Sequence, residues 1–332
     1  MNYENYPPAL AEEIVRLRRR IDAAGVPAKV ADRNLLIASW NIRSFGPVHP
    51  SFDENPGSPK RNLRGLAHIA EIIRLFDVVA IQEVRRDLRG IRTLLDWLGP
   101  DWGLVVSDVT RGDEGNSERL SFVYDRRRVQ PSGLAAELVL PPMAGGDPSR
   151  QFARTPYAVS FRAAEEEFVL VTLHVLYGDV PEDREGELRA IAEWLAEWGS
   201  DEDRYHRDLM VLGDFNIDRR GDPRFEVFTS TGLNVPAAIR DARTTIYDRA
   251  AKHYDQIGWF MGQIEIQHTG RAGTIEFGNA VFRELSLFQK SWRVSDHLPL
   301  WAEFSIDRTG EALGRTLEVD LDAPDPFADV PD

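Results

Sequence analysis

The amino-acid sequence predicts an α+β protein built as a layered sandwich. Nine apolar runs have the length and composition of β-strands, and only four segments show helical periodicity. Several predicted strands follow one another with no helix between them, which favours a layered sandwich over a doubly wound parallel sheet. The chain shows no internal repeat and no clear linker, and 332 residues with 42% hydrophobic content suffice for a large core. We therefore expect one main domain.

The predicted elements begin with a helix over residues 9–24, in which Leu10, Ile14, Leu17 and Ile21 recur at helical spacing. Its four arginines, which we expect to form a solvated face, are Arg16, Arg18, Arg19 and Arg20. The predicted strands cover residues 35–40, 77–82, 103–109, 120–125, 157–162, 168–175, 209–214, 255–260 and 298–306. The other predicted helices cover residues 63–75, 87–98 and 185–198.

Two segments are predicted to be irregular. Residues 46–62 are rich in proline, glycine and polar side chains, and such long loops in compact domains are usually functional or mobile. Lys60 and Arg61 in this loop, and Arg64 beyond it, can contact phosphate, gate access to the site or simply be solvated. The tail from residue 307 is acidic and contains proline, so we expect it to be disordered.

Composition excludes several classes of site. Without cysteine the chain has no disulfide, no zinc–thiolate site and no cysteine nucleophile, so any metal must be bound by oxygen or imidazole. With 54 acidic and 40 basic residues, the net charge of −14 argues against attracting nucleic acid by global charge. This balance leaves a local basic groove open. The N-terminus lacks a signal-peptide core and no run approaches the ~20 apolar residues of a membrane span, so we expect a cytoplasmic monomer.

Polar side chains with metal-binding or catalytic potential stand at one terminus of six predicted strands. They are Asn41, Glu83, His174, Asp214 with Asn216, Asp255, and Asp296 with His297. Taken alone, Asp214 and Asn216 after a buried strand are more typical of a turn, because both residue types bond their own backbone. Taken together, four carboxylates along one edge of a sandwich would repel one another, and a hard divalent cation relieves this repulsion. The strand ends therefore predict a metal site.

Two histidines of these strand ends have candidate acidic partners. A lone histidine in an apolar strand is more often a satisfied core residue than a catalyst. Here Glu118 can orient His174 and Asp255 can orient His297. Such a pair fixes the imidazole tautomer and raises the imidazole pKa, which suits a general acid or a group that stabilises phosphoryl oxygens.

Eight short motifs in order resemble the endonuclease/exonuclease/phosphatase superfamily, and most closely its deoxyribonuclease I-like branch. They are WNIRSFG (40–46), IQEVR (81–85), NSERLSFVYD (116–125), FARTPYAVSF (152–161), LVTLHV (170–175), LGDFN (212–216), YDQI (254–257) and SDHLPL (295–300). The resemblance implies a four-layer α/β/β/α sandwich, in which helices flank two packed mixed β-sheets and the active site lies at one end of the sheets. It divides the chain into a helical extension (1–33), a catalytic domain (34–306) and the acidic tail (307–332).

The resemblance also implies an activity, that of a Mg²⁺-dependent phosphodiesterase acting on DNA as an endonuclease. Mn²⁺ and Ca²⁺ are alternative ions. The implied metal ligands are Asn41, Glu83 and Asp296, and the implied phosphate-contacting residues are Arg43, Arg85 and Arg154. Asp214 would orient and deprotonate the attacking water, and Asn216 would hold the phosphate or the metal. The pairs His297–Asp255 and His174–Glu118 would stabilise the phosphorane and protonate the leaving oxygen.

Departures from the branch keep other substrates open. The tyrosine that stacks in the minor groove is absent before Glu118, and residues 46–62 form an expanded loop beside Asn41. A phosphatase or a sphingomyelinase-type phospholipid phosphodiesterase is the alternative, although the Pro-Ala-Trp-x-Asp-Arg motif of inositol phosphatases is missing. Phe288 and Trp292 can belong to a membrane-binding hairpin or, as we expect, to a buried strand. A non-catalytic binding module is disfavoured because the candidate metal and imidazole residues are all present.

Overall fold

The architecture is a sandwich of two six-stranded mixed sheets with helices around them. The computed structural model describes residues 2–55, 57–110, 117–139, 152–180, 183–200, 208–219, 221–247, 251–260, 266–317 and 319. Its strands are β1 (Asn34–Phe45), β2 (Val78–Arg85), β3 (Trp102–Val106), β4 (Glu118–Asp125), β5 (Gln130–Glu137), β6 (Tyr157–Ala163), β7 (Glu166–His174), β8 (Leu209–Asp214), β9 (Leu233–Asn234), β10 (Asp255–Phe260), β11 (Gln267–Thr274) and β12 (Leu300–Ser305). Its helices are α1 (Pro8–Ala23), α2 (Leu63–Ile73), α3 (Arg89–Leu98), α4 (Asp183–Ser200), α5 (Pro223–Thr229), α6 (Ala237–Arg240), α7 (Leu287–Ser291) and α8 (Thr309–Leu317).

Strand order shows how the two sheets are built. The first sheet has the order β11-β12-β1-β2-β4-β3, and the second has the order β5-β6-β7-β8-β10-β9. At the centre of each sheet two strands run parallel, β1 with β2 and β7 with β8. The neighbouring pairs around them are antiparallel. Antiparallel neighbours bring the start of one strand beside the end of the next, so polar residues from both kinds of terminus meet at one edge.

Alternating residues of β1 separate two apolar cores. Leu35 and Ile37 pack in the core between the sheets, whereas Leu36 and Trp40 pack beneath the helices of the first sheet. This period of two is expected where both faces of a strand are buried. On the second sheet, apolar residues of α4 join the inter-sheet core. The predicted four-layer sandwich is confirmed.

Strands that the sequence did not predict lie at the sheet edges. β5 and β9 flank the second sheet, and β11 flanks the first. β5 and β11 are largely exposed, so few of their residues are apolar and the strand signal is weak. The expectation of disorder from residue 307 was wrong for Thr309–Leu317, which form α8. The rest of the tail from residue 320 lies outside the described residues. No described helix combines the length and apolarity that a bilayer crossing would need.

The predicted loop at 46–62 contains no helix or strand among its described residues, only a bridge between His49 and Asn62. Arg61 in this loop is neither solvated nor free to contact phosphate. Arg61 is only 4% exposed and donates hydrogen bonds to backbone carbonyls, including those of Arg43 (2.7 Å) and Val294 (2.9 Å). Burial lowers the Arg61 pKa to about 10. This side chain therefore ties the loop to two segments beside the predicted site.

A buried carboxylate joins α1 to the sandwich. Glu13 accepts two hydrogen bonds from Arg64, both of 2.7 Å, and one from the backbone amide of Phe282 at 2.6 Å. Its Oε2 also lies 3.0 Å from Nε2 of the buried His68. Burial alone would raise the Glu13 pKa, but the Arg64 and His68 contacts lower it from 4.5 to about 2. Glu13 thus links α1, α2 and the 282 segment.

Glu13→Ala is expected to lower the free energy of unfolding by about 3–5 kcal/mol, because it leaves the buried His68 without its carboxylate and the half-buried Arg64 with Glu284 alone of the described carboxylates. Urea titrations at neutral pH measure this change. The matched control is Glu12→Ala, whose side chain is 74% exposed and pairs, among the described residues, only with Arg16. That control should change stability by less than about 0.5 kcal/mol.

The same contact has a defined pH dependence. Because the folded-state pKa of Glu13 is depressed, its contribution is present above pH 4.5 and is lost as the pH falls toward about 2. The difference in stability between the native chain and Glu13→Ala should therefore shrink across that window. A difference that stayed constant down to pH 3 would contradict the role given to Glu13.

Candidate active site

The sheet register brings polar residues of several strands to one edge. His174 at the end of β7 is paired with Asp214 at the end of β8. Asp214 is in turn paired with Asp255 at the start of β10. In the first sheet, the start of β4 places Glu118 opposite Arg85 at the end of β2. Paired residues on adjacent strands are about 5 Å apart, so these side chains form one cluster.

The Asp214 carboxylate lies at the centre of this cluster. Its Oδ2 accepts a hydrogen bond of 2.9 Å from Asn41 Nδ2, which crosses from the first sheet. Its Oδ1 accepts one of 2.9 Å from the backbone amide of Asn216. The Nε2 atoms of His174 and His297 lie 3.6 Å and 3.7 Å from Oδ2. Burial alone would raise the Asp214 pKa, but the two imidazoles and the hydrogen bonds lower it.

Each of these histidines has a carboxylate on its other ring nitrogen. His297 Nδ1 lies 2.8 Å from Asp255 Oδ2, and His174 Nδ1 lies 3.3 Å from Glu118 Oε2. Burial alone would lower the pKa of His297, but Asp255 and Asp214 hold it well above its ordinary value. The predicted pairs are therefore present in the structure, and both Nε2 atoms face the same carboxylate oxygen. The Asp255 carboxylate on Nδ1 orients the His297 ring and favours its protonated form.

Unusual backbone geometry places two of the site residues. Glu83 and Asn216 adopt left-handed conformations with φ of 61° and 51°, which cost about 1–3 kcal/mol in residues other than glycine. The register of β2 shifts between Ile81 and Val84, so a bulge directs Glu83 out of the regular pleat. Asn216 Nδ2 donates to the carbonyl of Val175 at 2.7 Å, which holds the turn after β8 against the end of β7.

Backbone pairing and a hydrogen bond connect the segments that carry the predicted metal ligands Asn41, Glu83 and Asp296. Asn41 is paired with Gln82, the neighbour of Glu83, and its carbonyl accepts a hydrogen bond of 2.6 Å from Ser295 Oγ. Asn41 Oδ1 and Asp296 Oδ1 are buried and have no hydrogen-bond partner among the described residues. An amide oxygen and carboxylates are the donors that hard divalent cations prefer, so this set fits such an ion.

A different group, formed by Asp214, Asp255 and His297, is compact enough to hold an ion. Ligand atoms of Asp214, Asp255 and His297 all lie within 4.8 Å of one another. In this group, however, His297 Nδ1 is already bonded to Asp255. The group coincides with the predicted acid–base residues rather than with the predicted ligands, and the internal hydrogen bond accounts for its compactness.

The three predicted phosphate-binding arginines surround the cluster and contact its carboxylates. Arg154 Nε donates to Glu118 Oε2 at 2.7 Å, and Arg85 Nη1 lies 3.4 Å from the other oxygen of Glu118. Arg43 Nη1 lies 3.3 Å from Asp296 Oδ2. All three cations are therefore within the site, where their charge offsets that of the carboxylates.

Aromatic residues beside the cluster were not predicted as part of the site. The Tyr254 ring lies 5.8 Å from the His297 ring, and the exposed Tyr177 packs edge-on against Tyr254. Tyr254 directly precedes Asp255 in the sequence, and this position could have indicated that its ring lies at the site. Trp292, expected on a buried strand, instead follows the short helix α7 and stacks on the Arg43 guanidinium at 3.9 Å. It thereby restricts the orientation of a predicted phosphate-binding side chain.

Comparison with known proteins agrees with this geometry. The model of the endonuclease/exonuclease/phosphatase family matches residues 38–302. The chain belongs to this family. It is therefore a phosphoester hydrolase of that family, and the resemblance drawn from the motifs is confirmed.

Individual family members are distant from this chain. A protein named deoxyribonuclease from Thioalkalivibrio sp. (strain K90mix) is 28% identical over 305 residues, which cover 86% of this chain and 74% of that protein. Deoxyribonuclease-1 from Bos taurus is 29% identical over 194 residues, 56% of this chain and 61% of that protein. A family member from Bacteroides thetaiotaomicron superposes with a TM-score of 0.56 over 82% of this chain and 98% of its own. At 17% identity, that superposition shows a shared fold.

Gly213→Ala is expected to disrupt the site from within the sheet. Gly213 has a φ of 152°, and an added Cβ would lie 2.1 Å from the carbonyl oxygen of Leu173 on the neighbouring strand. We expect a loss of about 2–4 kcal/mol in stability. We also expect at least a tenfold loss in phosphoester hydrolysis, because β7 and β8 carry His174 and Asp214 and must separate. Urea titration and initial rates measure the two effects.

Gly186→Ala provides the control for this substitution. Gly186 lies within α4, and nothing stands within 4 Å of its added Cβ. This change should leave activity unaltered and leave stability unchanged or higher by up to about 1 kcal/mol. Full activity in Gly213→Ala would show that the close approach of the two strands does not position the site.

Proposed function

We propose that the protein is a metal-dependent phosphodiesterase that cleaves DNA as an endonuclease, using an activated water as nucleophile. One observation carries the proposal. Two imidazoles, each oriented by a carboxylate, direct their Nε2 atoms at one oxygen of Asp214, at 3.6 Å and 3.7 Å. Groups that accept and donate protons thus surround a single position, as in-line displacement at phosphorus requires. The names of the two deoxyribonuclease relatives support DNA as the substrate.

The acid–base residues have complementary roles in this proposal. Asp214, whose pKa is lowered, takes a proton from water as the water oxygen attacks phosphorus. His297 and His174 donate hydrogen bonds to the phosphoryl oxygens and a proton to the leaving oxygen as its bond to phosphorus breaks. Asp255 and Glu118 keep these imidazoles oriented throughout. Asn216, adjacent in the same turn, holds the scissile phosphate or the metal.

Asn41, Glu83 and Asp296 would hold the metal ion, for which Mg²⁺ is proposed and Mn²⁺ or Ca²⁺ are alternatives. The unpartnered oxygens of Asn41 and Asp296 support this assignment. When bound, the ion supplies a Lewis acid that stabilises negative charge on the phosphoryl oxygens. Glu83 Oε2 accepts a hydrogen bond of 2.8 Å from the Ser44 amide, which fixes its carboxylate in place.

Arg43, Arg85 and Arg154 would bind the phosphates that flank the cleaved bond. Each guanidinium already lies within 3.4 Å of a site carboxylate. Guanidinium groups bind phosphate oxygens through paired N–H donors, and they retain their charge at every pH of interest. These contacts would set the register of the strand on the enzyme without reading its sequence.

A phospholipid or phosphomonoester substrate is the second candidate. One observation favours a lipid. Phe288 is 61% exposed, and the Arg43 guanidinium lies over its ring at 5.7 Å. An exposed aromatic next to a phosphate-binding cation is suited to a membrane surface. The substrate assay below separates the two candidates.

The decisive assay compares substrates and metals. The protein should nick covalently closed supercoiled plasmid when Mg²⁺ or Mn²⁺ is supplied, and EDTA should abolish cleavage. Single-stranded DNA, RNA, phosphomonoesters and sphingomyelin vesicles form the comparison panel. Nicking of closed circles shows endonuclease activity, since no free end is available. Hydrolysis confined to phosphomonoesters or to sphingomyelin would overturn the nuclease assignment.

Asp214→Asn and His297→Ala should each lower kcat by about 10³-fold or more, because each removes a group that moves a proton at the reacting atoms. Plasmid nicking rates measure the loss, and a thermal melt verifies that each variant is folded. His68→Ala is the matched control, since His68 is equally buried but contacts Glu13 instead of the site. It should lower stability and leave kcat unchanged. An active Asp214→Asn or His297→Ala enzyme would refute the mechanism.

A further inference from the structure

A cavity of about 570 Å³ lies between α1 and the segment that leads into α7. Its charged lining residues, which we call the basic cleft, are Arg16, Arg19, Arg20, Arg283 and Lys290. None of its described lining residues is acidic. Five cations around one cavity stand out in a chain with a net charge of −14. Half of this cleft belongs to α1, which precedes the family-matched residues 38–302.

Two of the five cations build the walls of the cleft. Arg16 Nε donates to the carbonyl of Ala280 at 3.3 Å, and the buried Lys290 Nζ donates to the carbonyl of Gly278 at 2.6 Å. These bonds connect α1 and α7 to the same turn. The cleft is therefore bounded by contacts of the fold, one from a half-buried arginine and one from a buried lysine.

The other three cations are available to a ligand. Arg19, Arg20 and Arg283 are exposed, and their side chains form no hydrogen bond or ion pair within the described part of the chain. The exposed amide of Asn279 adds a neutral donor to the lining. Bringing like charges together costs free energy that a bound anion recovers, and guanidinium groups suit phosphate in particular.

The cleft lies close to the candidate active site. α7 lines both this cleft, through Lys290, and a cavity of about 550 Å³ beside Arg43, through Phe288. An α-helix is about 10 Å across with its side chains, so the two cavities are neighbours separated by one helix. Duplex DNA carries one charge per about 1.7 Å of its axis, so a duplex bound at the site has many phosphates within that distance.

We infer that the basic cleft binds backbone phosphates of the nucleic acid at a distance from the cleaved bond. The inference rests on the proposed nucleic-acid substrate. The cleft acts on affinity for long substrates and leaves the chemistry at Asp214 untouched. It also explains how a chain of net charge −14 binds a polyanion, because attraction then depends on a local cationic surface and not on the total charge.

The test uses the triple variant Arg19→Gln, Arg20→Gln, Arg283→Gln of the full chain. Binding of a fluorescent 30-base-pair duplex is measured by anisotropy in EDTA, where no cleavage occurs, over a range of salt concentrations. We expect affinity to fall roughly tenfold or more, and the slope of log K against log salt to fall by about 2–3. Hydrolysis of bis(4-nitrophenyl) phosphate, a small phosphodiester, should be unchanged with metal present.

The control removes three other exposed arginines, in Arg33→Gln, Arg126→Gln, Arg315→Gln. Arg33 precedes β1 and Arg126 follows β4, at the strand ends remote from the site. Both variants lose three positive charges. A larger loss of duplex affinity in the cleft variant than in this control would therefore show that the position of the charges matters and not only their number. Equal affinities and equal salt slopes would overturn the inference.

The remaining outcomes separate this inference from the proposed function. If the native protein does not nick plasmid but the cleft variant loses duplex binding, the result supports phosphate binding at the cleft and rejects the nuclease function. Nicking and duplex binding that are both unaffected in the cleft variant would support the nuclease and reject the cleft. Anionic phosphatidylserine vesicles serve as a second probe. A variant that loses vesicle binding while keeping duplex binding would assign the cleft to lipid and overturn the inference.

Discussion

The hydrogen bond between Asn41 and Asp214 is the contact on which the site depends, because it joins the ends of the two sheets. Asn41 ends a regular run of β1, and Asp214 ends β8 in the opposite sheet, with 2.9 Å between donor and acceptor. Apolar packing between the sheets has no directional preference, whereas this bond and others that cross between the sheets, such as Gln82 Nε2 to Thr172 Oγ1 at 2.9 Å, are directional. A polar bond at the rim therefore determines how the residues of one sheet face those of the other. Around it, two imidazoles approach the same carboxylate.

Buried charge is balanced locally throughout this molecule. At the site, Glu118 is shared by Arg85, Arg154 and His174. Beneath α1, Glu13 is shared by Arg64 and His68 in the same manner. A buried carboxylate that serves several partners keeps its charge at neutral pH, whereas an isolated one would be protonated. The two clusters differ in one respect. The first retains buried oxygens that find no hydrogen-bond partner in the part of the chain that the structure describes, and such oxygens are suited to a cation.

The elements that sequence patterns predicted are those that bury apolar faces. Strands such as β1, β7 and β8 are buried on nearly every residue because they lie at sheet centres, and their apolar runs gave a clear strand signal. The edge strands β5 and β11 lack this pattern, since one side of each faces solvent. α8 was not predicted because its nine residues are largely polar or glycine and show no extended apolar stripe. Arg61 escaped because an arginine in a polar loop is rarely buried.

The motifs in the chain determined the fold family, the chemical groups of the site and the pairing of each histidine with a carboxylate, because residue type and order carry that information. Their geometry was decided only when distant segments packed. Three features show this: two imidazoles and Asn41 share one Asp214 oxygen, Arg61 is buried, and Trp292 stacks on Arg43. Each depends on residues that lie far apart in the sequence, so their spacing could not predict it. The basic cleft is the clearest case, since its arginines lie some 260 positions apart and form one surface only because α1 packs beside α7.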